Sequence, residues 1–224
     1  MSESARHDRF YMPTITLLVE NYLFRVPRLP FETQSEVFSD MLLLPTSSNV
    51  EVEGQSDNNP IKLEGIKKND FEQLLKILFP IADGKLKQLP VGPTEWTSAL
   101  KLSLLWEFTS IRDQSLVELR TLLEDPIDRI LLAKEFDIEG EWLLEAMNEL
   151  ARRPKPLGME DVERLGVEFV IQMAAVRESF VVEIESRIQV VRESATVRLA
   201  DGQRPKQTLT YDFQPAIRRI FNVQ

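Results

Sequence analysis

The chain of 224 residues contains no cysteine. Disulfide bonds, thiolate metal sites and cysteine nucleophiles are therefore excluded, and the fold needs no oxidising compartment. Histidine is nearly absent as well, because His7 is the only one and lies in a polar segment. A histidine-centred catalytic site or a site with several histidine ligands cannot be built from this sequence. We expect no cofactor and no metal.

Glycine-rich phosphate loops are also lacking. Gly54, Gly65 and Gly84 stand alone in the sequence, so no phosphate-binding loop is indicated. Paired acids such as Glu183 and Glu185 lie two residues apart and point to different faces of a helix. That spacing favours a solvated surface over acid–base catalysis. We therefore expect a protein that is not an enzyme.

Long apolar runs are missing, because each run meets a proline or a charge after a few residues. The first residues, MSESARHDRF, lack the apolar core of a signal peptide, and residues 1–9 are predicted to be a flexible tail. We expect an intracellular protein without a transmembrane segment, with nucleus and cytoplasm both open. The net charge of −9 repels phosphate backbones and anionic lipids, so neither nucleic acid nor a membrane is expected as a partner.

The first half of the chain combines strand and helix patterns. Apolar and polar residues alternate in the segments 14–19 and 23–26, which predicts two strands of a hairpin with Asn21 in the turn. Ile61, Leu63 and Gly65 indicate a further short strand.

Two helices are predicted to begin with a capping box, a side-chain arrangement that satisfies free amides at a helix start. Thr33 with Glu36 opens the first helix, and Asn69 with Glu72 opens the second, which Pro80 ends. Apolar residues at strand or helix spacing are expected to form the core of this half: Phe24, Phe38, Met41, Phe71, Leu74, Leu75 and Trp96.

The same residues carry a resemblance to a known family, the BTB (POZ) domain. The matching pieces are Phe-x-Val at Phe24 to Val26, Ser35 with Phe38 and Met41, Ile-x-Leu at Ile61 to Leu63, and Phe71 with Leu74, Leu75 and Phe79. The stretches VENYLFRV, EGQSDNNPIKLEG and LLWEFTSIRDQSLVEL are especially similar to those of fungal proteins with this domain. The resemblance implies an α+β fold over residues 10–124, with a small N-terminal sheet and helical hairpins.

By the same resemblance, the chain is a protein–protein interaction module that forms homodimers or heteromers with other BTB domains. Two alternatives stay open: a substrate adaptor that binds a cullin-type ubiquitin ligase, and a nuclear scaffold in transcription regulation. Adaptors of the family tend to carry an apolar-x-Glu motif after the helix of Phe71, and PIADGKLKQ lacks it. Self-association is expected through the N-terminal hairpin and the region from Leu29 to Leu44. The candidate residues are Ile15, Leu17, Val19, Leu29 and Phe31.

Residues 125–195 are predicted to form a helical extension. Asp125 and Pro126 mark a helix start, and an apolar stripe runs from Val162 onward without a breaker other than Gly166. The end of this long helix projects beyond a domain of this size, so its apolar residues should be covered by the tail or by another chain. The candidate docking residues are Phe180, Ile184, Ile188 and Val191.

The C-terminal tail, residues 196–224, changes character. The segments 196–199 and 208–213 alternate between apolar and polar residues around Asp201 and Gly202. This pattern predicts a β-hairpin, with disorder as the alternative.

Overall fold

The computed structural model describes residues 5, 7, 11–43, 52–82, 85–86, 89–188 and 206–223. It is an α+β protein, as predicted, with a small sheet and a majority of helices. The chain divides into two compact units, Met1–Leu122 and Leu123–Gln224. The tail predicted over residues 1–9 lies, except for residues 5 and 7, outside the described residues.

The larger, three-stranded sheet of the first unit has the strand order β2-β1-β3. Strands β1 (Thr14–Val19) and β2 (Tyr22–Pro27) form the predicted antiparallel hairpin. Its tight turn consists of Glu20, which has a positive φ of 52°, and Asn21. The third strand, β3 (Ile61–Lys62), pairs with β1 in parallel and is shorter than predicted. Strand β1 is therefore the centre of the sheet.

Two short helices follow the hairpin, α1 (Leu29–Gln34) and α2 (Glu36–Leu43). The predicted cap at Thr33 is wrong, because its hydroxyl donates to the carbonyl four residues earlier within α1. Ser35 separates the two helices instead, and its Oγ accepts a hydrogen bond of 3.1 Å from the Phe38 amide. The cap therefore lies two residues after the predicted one.

The second predicted cap is also wrong. Helix α3 (Lys68–Leu78) has already begun at Asn69, and a carboxylate oxygen of Glu20 accepts from the Lys68 amide at 3.3 Å. The helix ends before Pro80, as predicted. The unit is completed by four elements: β4 (Ile81–Ala82), β5 (Lys85–Leu86), α4 (Pro93–Leu105) and α5 (Thr109–Leu122).

Aromatic rings dominate the core of the first unit. The ring of Phe38 lies 4.9 Å from that of Phe31 and 5.3 Å from that of Trp106, centroid to centroid. Five of the seven residues expected in this core are buried: Phe38, Phe71, Leu74, Leu75 and Trp96. The other two, Phe24 and Met41, are half-buried and pack against the core. Ser35 is buried beside this core, and its hydroxyl also donates to the Trp106 carbonyl at 2.5 Å.

Within the described residues of the second unit, all regular elements are helices. Its elements are α6 (Pro126–Phe136), α7 (Glu141–Arg152), α8 (Met159–Leu165), α9 (Val167–Ile188), a 3-10 turn (Lys206–Leu209) and α10 (Gln214–Phe221). The Asp125 cap is confirmed, because its Oδ1 accepts from the Ile127 amide at 3.0 Å.

Two predictions for this unit are wrong. Gly166 has a φ of 88° and ends α8, so the long helix is two helices. The segment 208–213 is not a strand, because its first two residues belong to the 3-10 turn and the rest leads into α10, which begins at Gln214. The other half of the predicted hairpin, 196–199, lies outside the described residues.

Candidate interaction surfaces

The residues predicted to mediate self-association through β1 are not on a surface. Ile15, Leu17 and Val19 are all buried, because their side chains lie on the face of the sheet that packs on the core of the first unit. Phe31 is buried in the same core. The expectation that these four side chains meet a partner is therefore corrected. Only Leu29 of that group is exposed.

A different apolar surface lies where three segments meet at Arg28. The Arg28 amide donates to the Pro13 carbonyl at 2.9 Å, and its Nη2 donates to the Leu42 carbonyl at 3.0 Å. Four large apolar side chains lie within two residues of Pro13, Arg28 or Leu42 in the sequence and are exposed: Tyr11 (55%), Met12 (66%), Leu29 (61%) and Leu43 (71%). We call these four side chains the Arg28 surface.

The charge of Arg28 is balanced within the unit. Its Nε donates to a carboxylate oxygen of Glu32 at 2.6 Å, and both side chains are partly buried. A groove of about 240 Å³ adjoins Arg28 and is lined in part by Ile15, Met41 and Leu42. The Arg28 surface is thus apolar at its exposed side chains, and its central cation is already paired. Such a surface suits the docking of another apolar surface better than that of an anion.

In the second unit, the first of the predicted docking residues is covered. Phe180 is buried, and its ring lies 5.0 Å from that of Tyr211 and 6.3 Å from that of Phe213. The C-terminal segment therefore folds back over Phe180, the first of the predicted docking residues. For Ile184 and Ile188 the structure describes only the helical backbone, and Val191 lies outside the described residues.

Three hydrogen bonds fix the C-terminal segment to α7. Asn148 Oδ1 accepts from the Phe213 amide at 2.9 Å, and Asn148 Nδ2 donates to Asp212 Oδ1 at 3.1 Å. Arg152 Nε donates to the Tyr211 carbonyl at 2.6 Å. Asn148 is only 6% exposed, so these bonds satisfy an amide that has little access to water.

A charged cluster holds the connection between α7 and α8. The Arg153 guanidinium donates to both oxygens of Asp161, at 3.0 and 2.6 Å, and the Gly158 amide donates to one of them at 2.8 Å. Burial alone would raise the pKa of the Asp161 carboxyl, but these hydrogen bonds and the charge of Arg153 outweigh it and lower the pKa. The carboxylate is therefore a structural group that stays ionised.

A buried arginine supports the same connection. Arg177 of α9 donates to the Arg153 carbonyl at 2.8 Å and to the Lys155 carbonyl at 3.1 Å. These carbonyls follow the end of α7, where a cation is favourable because the helix dipole is negative there. The charged groups of this region thus serve the fold of the second unit.

Among the described residues, no group of three or more His, Cys, Asp or Glu side chains is placed to hold a metal ion. Within the same ranges, none of the helices combines the length and the apolar character needed to cross a bilayer.

Sequence reasoning missed the residues that the structure makes most prominent. Tyr11 and Met12 lie outside a clear period, and apolar residues in such positions are a weak signal of exposure. Leu43 lies within the predicted region from Leu29 to Leu44 but was not among the candidate residues. Asn148 had a clearer signal, because it follows Leu144 by four residues and so lies on the same apolar face of α7. A polar residue on such a face needs a partner.

No family model matches this chain, and no curated protein matches its sequence.

Proposed function

We propose that the first unit is a BTB-type protein interaction module that self-associates through the Arg28 surface. The proposal continues the resemblance of the sequence, which implies a small sheet followed by helical hairpins. The order of elements in the first unit, with two strands, two short helices, a third strand and then α3 to α5, is compatible with that layout. The role is non-enzymatic assembly.

The observation that carries the proposal is the exposure of the Arg28 surface. Single exposed apolar residues are common, but four large ones on converging segments are favoured at sites of protein docking. In a two-fold dimer the same patch is buried on both copies, so each side chain contributes twice. A stable dimer buries roughly 800 Å² on each partner, which requires the surrounding residues of α1 and α2 to take part as well.

Sedimentation of the full chain at micromolar concentration tests the proposal. We expect a mass about twice the 25.9 kDa of one chain. A species that stays at the mass of one chain on concentration would refute self-association.

A double substitution tests the surface. Leu29→Glu with Leu43→Glu removes two apolar side chains, each worth roughly 1.5–3 kcal/mol when buried. Because each occurs twice in the dimer, Kd should rise by at least about 100-fold. The matched control is Val91→Glu with Val117→Glu, which are 73% and 64% exposed elsewhere on the unit. If both double variants dimerise equally well, the Arg28 surface is the wrong one.

A further inference from the structure

We infer that the outer edge of β2 binds an extended segment of a partner protein, which adds to the three-stranded sheet as a further strand. The segment pairs antiparallel with β2 and places an acidic residue opposite Arg25 and an apolar residue opposite Leu23. This inference goes beyond the proposed function, because the strand edge and the Arg28 surface consist of different residues.

The register of the hairpin determines which backbone groups face the edge. In a hairpin with a two-residue turn, the residues that flank the turn exchange hydrogen bonds, and every second pair after them does the same. Tyr22 flanks the turn, so Tyr22, Phe24 and Val26 bond to β1. The N–H and C=O groups of Leu23 and Arg25 alternate with these residues and therefore point away from β1.

Hydrogen bonds on the far side of β1 agree with this alternation. The Thr16 amide donates to the Gly54 carbonyl at 2.7 Å, and the Leu18 carbonyl accepts a hydrogen bond of 2.9 Å from the residue after β3. Thr16 and Leu18 are the partners of Arg25 and Leu23 in the register, and their backbone groups face away from β2. In the part of the chain that the structure describes, the edge-facing groups of Leu23 and Arg25 have no hydrogen-bond partner.

The two edges of this sheet differ in their protection against strand addition. Strand β3 has only two residues, follows Pro60 and carries the exposed Lys62, and all three features discourage pairing with another chain. Strand β2 has six residues in unbroken register with β1, and its proline, Pro27, comes only at the end. The edge of β2 is therefore the one that can accept an extended main chain.

The side chains beside this edge specify the partner. Leu23 is 47% exposed and lies on the same face of the sheet as Arg25. Two hydrogen bonds hold the Arg25 guanidinium on that face, from Nε to Thr16 Oγ1 at 3.2 Å and from Nη2 to Asp57 Oδ1 at 2.9 Å. Its remaining nitrogen, Nη1, can donate to a carboxylate on the added strand.

Directly opposite residues of two strands form favourable pairs when they carry opposite charges or when both are apolar. Antiparallel pairing is the more stable arrangement per residue, and it reverses the direction of the added strand. The bound segment therefore reads acid-x-apolar from its N-terminus to its C-terminus.

A peptide of sequence TTEVITT, with acetyl and amide ends, tests the edge on the full chain. Its glutamate, valine and isoleucine are designed to lie opposite Arg25, Phe24 and Leu23. In titrations followed by NMR, we expect the amide signals of Leu23 and Arg25 to shift until they saturate.

Two methylated peptides test the hydrogen bonds themselves. The amides of the peptide's glutamate and isoleucine face the edge, so methylation of both nitrogens should raise Kd by about 10-fold or more. The amide of its valine faces away from the edge, so methylation of that nitrogen alone should leave Kd unchanged. This pair is matched, because all changes are on the peptide and the fold of the protein is untouched.

A charge exchange tests the acidic position. The natural chain should prefer TTEVITT over TTKVITT by about 2–5-fold, the size expected of an exposed ion pair. Arg25→Glu should reverse this preference, which a purely structural role of Arg25 would not do. The variant with Leu29→Glu and Leu43→Glu should bind TTEVITT as the natural chain does.

The outcomes separate this inference from self-association. If the Leu23 and Arg25 signals do not shift, or if the two methylated peptides bind equally well, the edge site is wrong, whatever sedimentation shows. Peptide binding by a chain that sediments as a single copy would support the edge site while refuting self-association. Leu23→Pro removes an edge donor without removing a bond to β1, and if it converts a dimer into single chains, the edge is occupied by a second copy and the inference is overturned.

Discussion

The aromatic cluster around Phe38 provides the sharpest test of the first unit. Phe38→Ala removes a ring that is buried and that contacts three others, those of Phe31, Trp106 and Phe108, at 4.9, 5.3 and 6.0 Å between centroids. The backbone change is mild, because alanine is a good helix former within α2. The loss of stability should therefore come from the side chain alone.

The expected magnitude follows from burial and from the ring contacts. Truncation of a buried phenylalanine costs about 3–5 kcal/mol. Each aromatic pair contributes roughly 0.5–1.5 kcal/mol beyond its buried area, so three pairs place Phe38 toward the upper end of that range. With an m-value of about 2 kcal/mol/M, the urea midpoint of the first unit should fall by about 1.5–2.5 M.

Tryptophan fluorescence can follow the first unit separately. Of the three tryptophans, Trp142 belongs to the second unit, so a Trp142→Phe background leaves the other two as reporters of the first unit. Trp106 lies beside Phe38 and reports the cluster itself. The control is Val37→Ala, a truncation at a more exposed neighbour that should cost no more than about 0.5 kcal/mol. If Phe38→Ala and Val37→Ala unfold at the same midpoint, the aromatic cluster does not stabilise this unit.

Two further predictions concern the second unit. Asp161→Asn should destabilise the chain by about 1–3 kcal/mol at pH 7, because it removes an ionised partner of Arg153. Since the folded pKa of Asp161 is lowered, the difference in unfolding free energy between this variant and the natural chain should be complete above the ordinary pKa of 3.8 and shrink as the pH falls below it. Urea titrations at several pH values measure this difference. A difference that does not depend on pH would contradict the ion pair. Gly166→Ala should also destabilise the chain, by about 1–3 kcal/mol, because alanine is strained at the positive φ of this position. A steric clash does not contribute, because an added Cβ meets no atom within 4 Å. A continuous helix would instead gain about 0.5–1 kcal/mol from the alanine, so the sign of the change in unfolding free energy decides between the two.

The sequence was most informative where a local pattern determined the structure. The hairpin of β1 and β2 follows from alternation around a two-residue turn, and the Asp125 cap is followed by Pro126. The cap at Thr33 failed because Ser35 offers the same hydroxyl nearby, and Ser35 also bonds to Trp106, a long-range contact that no local pattern reveals.

The C-terminal segment shows a different limit. Alternation over residues 208–213 suggested a strand, but Phe213 and Ile217 have helical spacing and Pro215 suits a first turn, so a helix signal was present. The exposure of Leu29 and the burial of Phe31 could not be separated from the sequence, because α1 has only six residues and no complete amphipathic period. Which apolar residues form a surface depended on packing between distant segments.

The position of β1 at the centre of the sheet has a kinetic consequence. Its pairing with β2 closes a two-residue turn, and such hairpins form in about 1–10 μs. Its pairing with β3 brings Leu17 to Ile61 and must wait until residues 28–60 have been gathered into a loop, which costs more chain entropy. The hairpin should therefore serve as an early template, and the parallel strand should join close to the rate-limiting step. Substitutions at Ile61 should then slow folding, whereas changes in α5 should mainly speed unfolding.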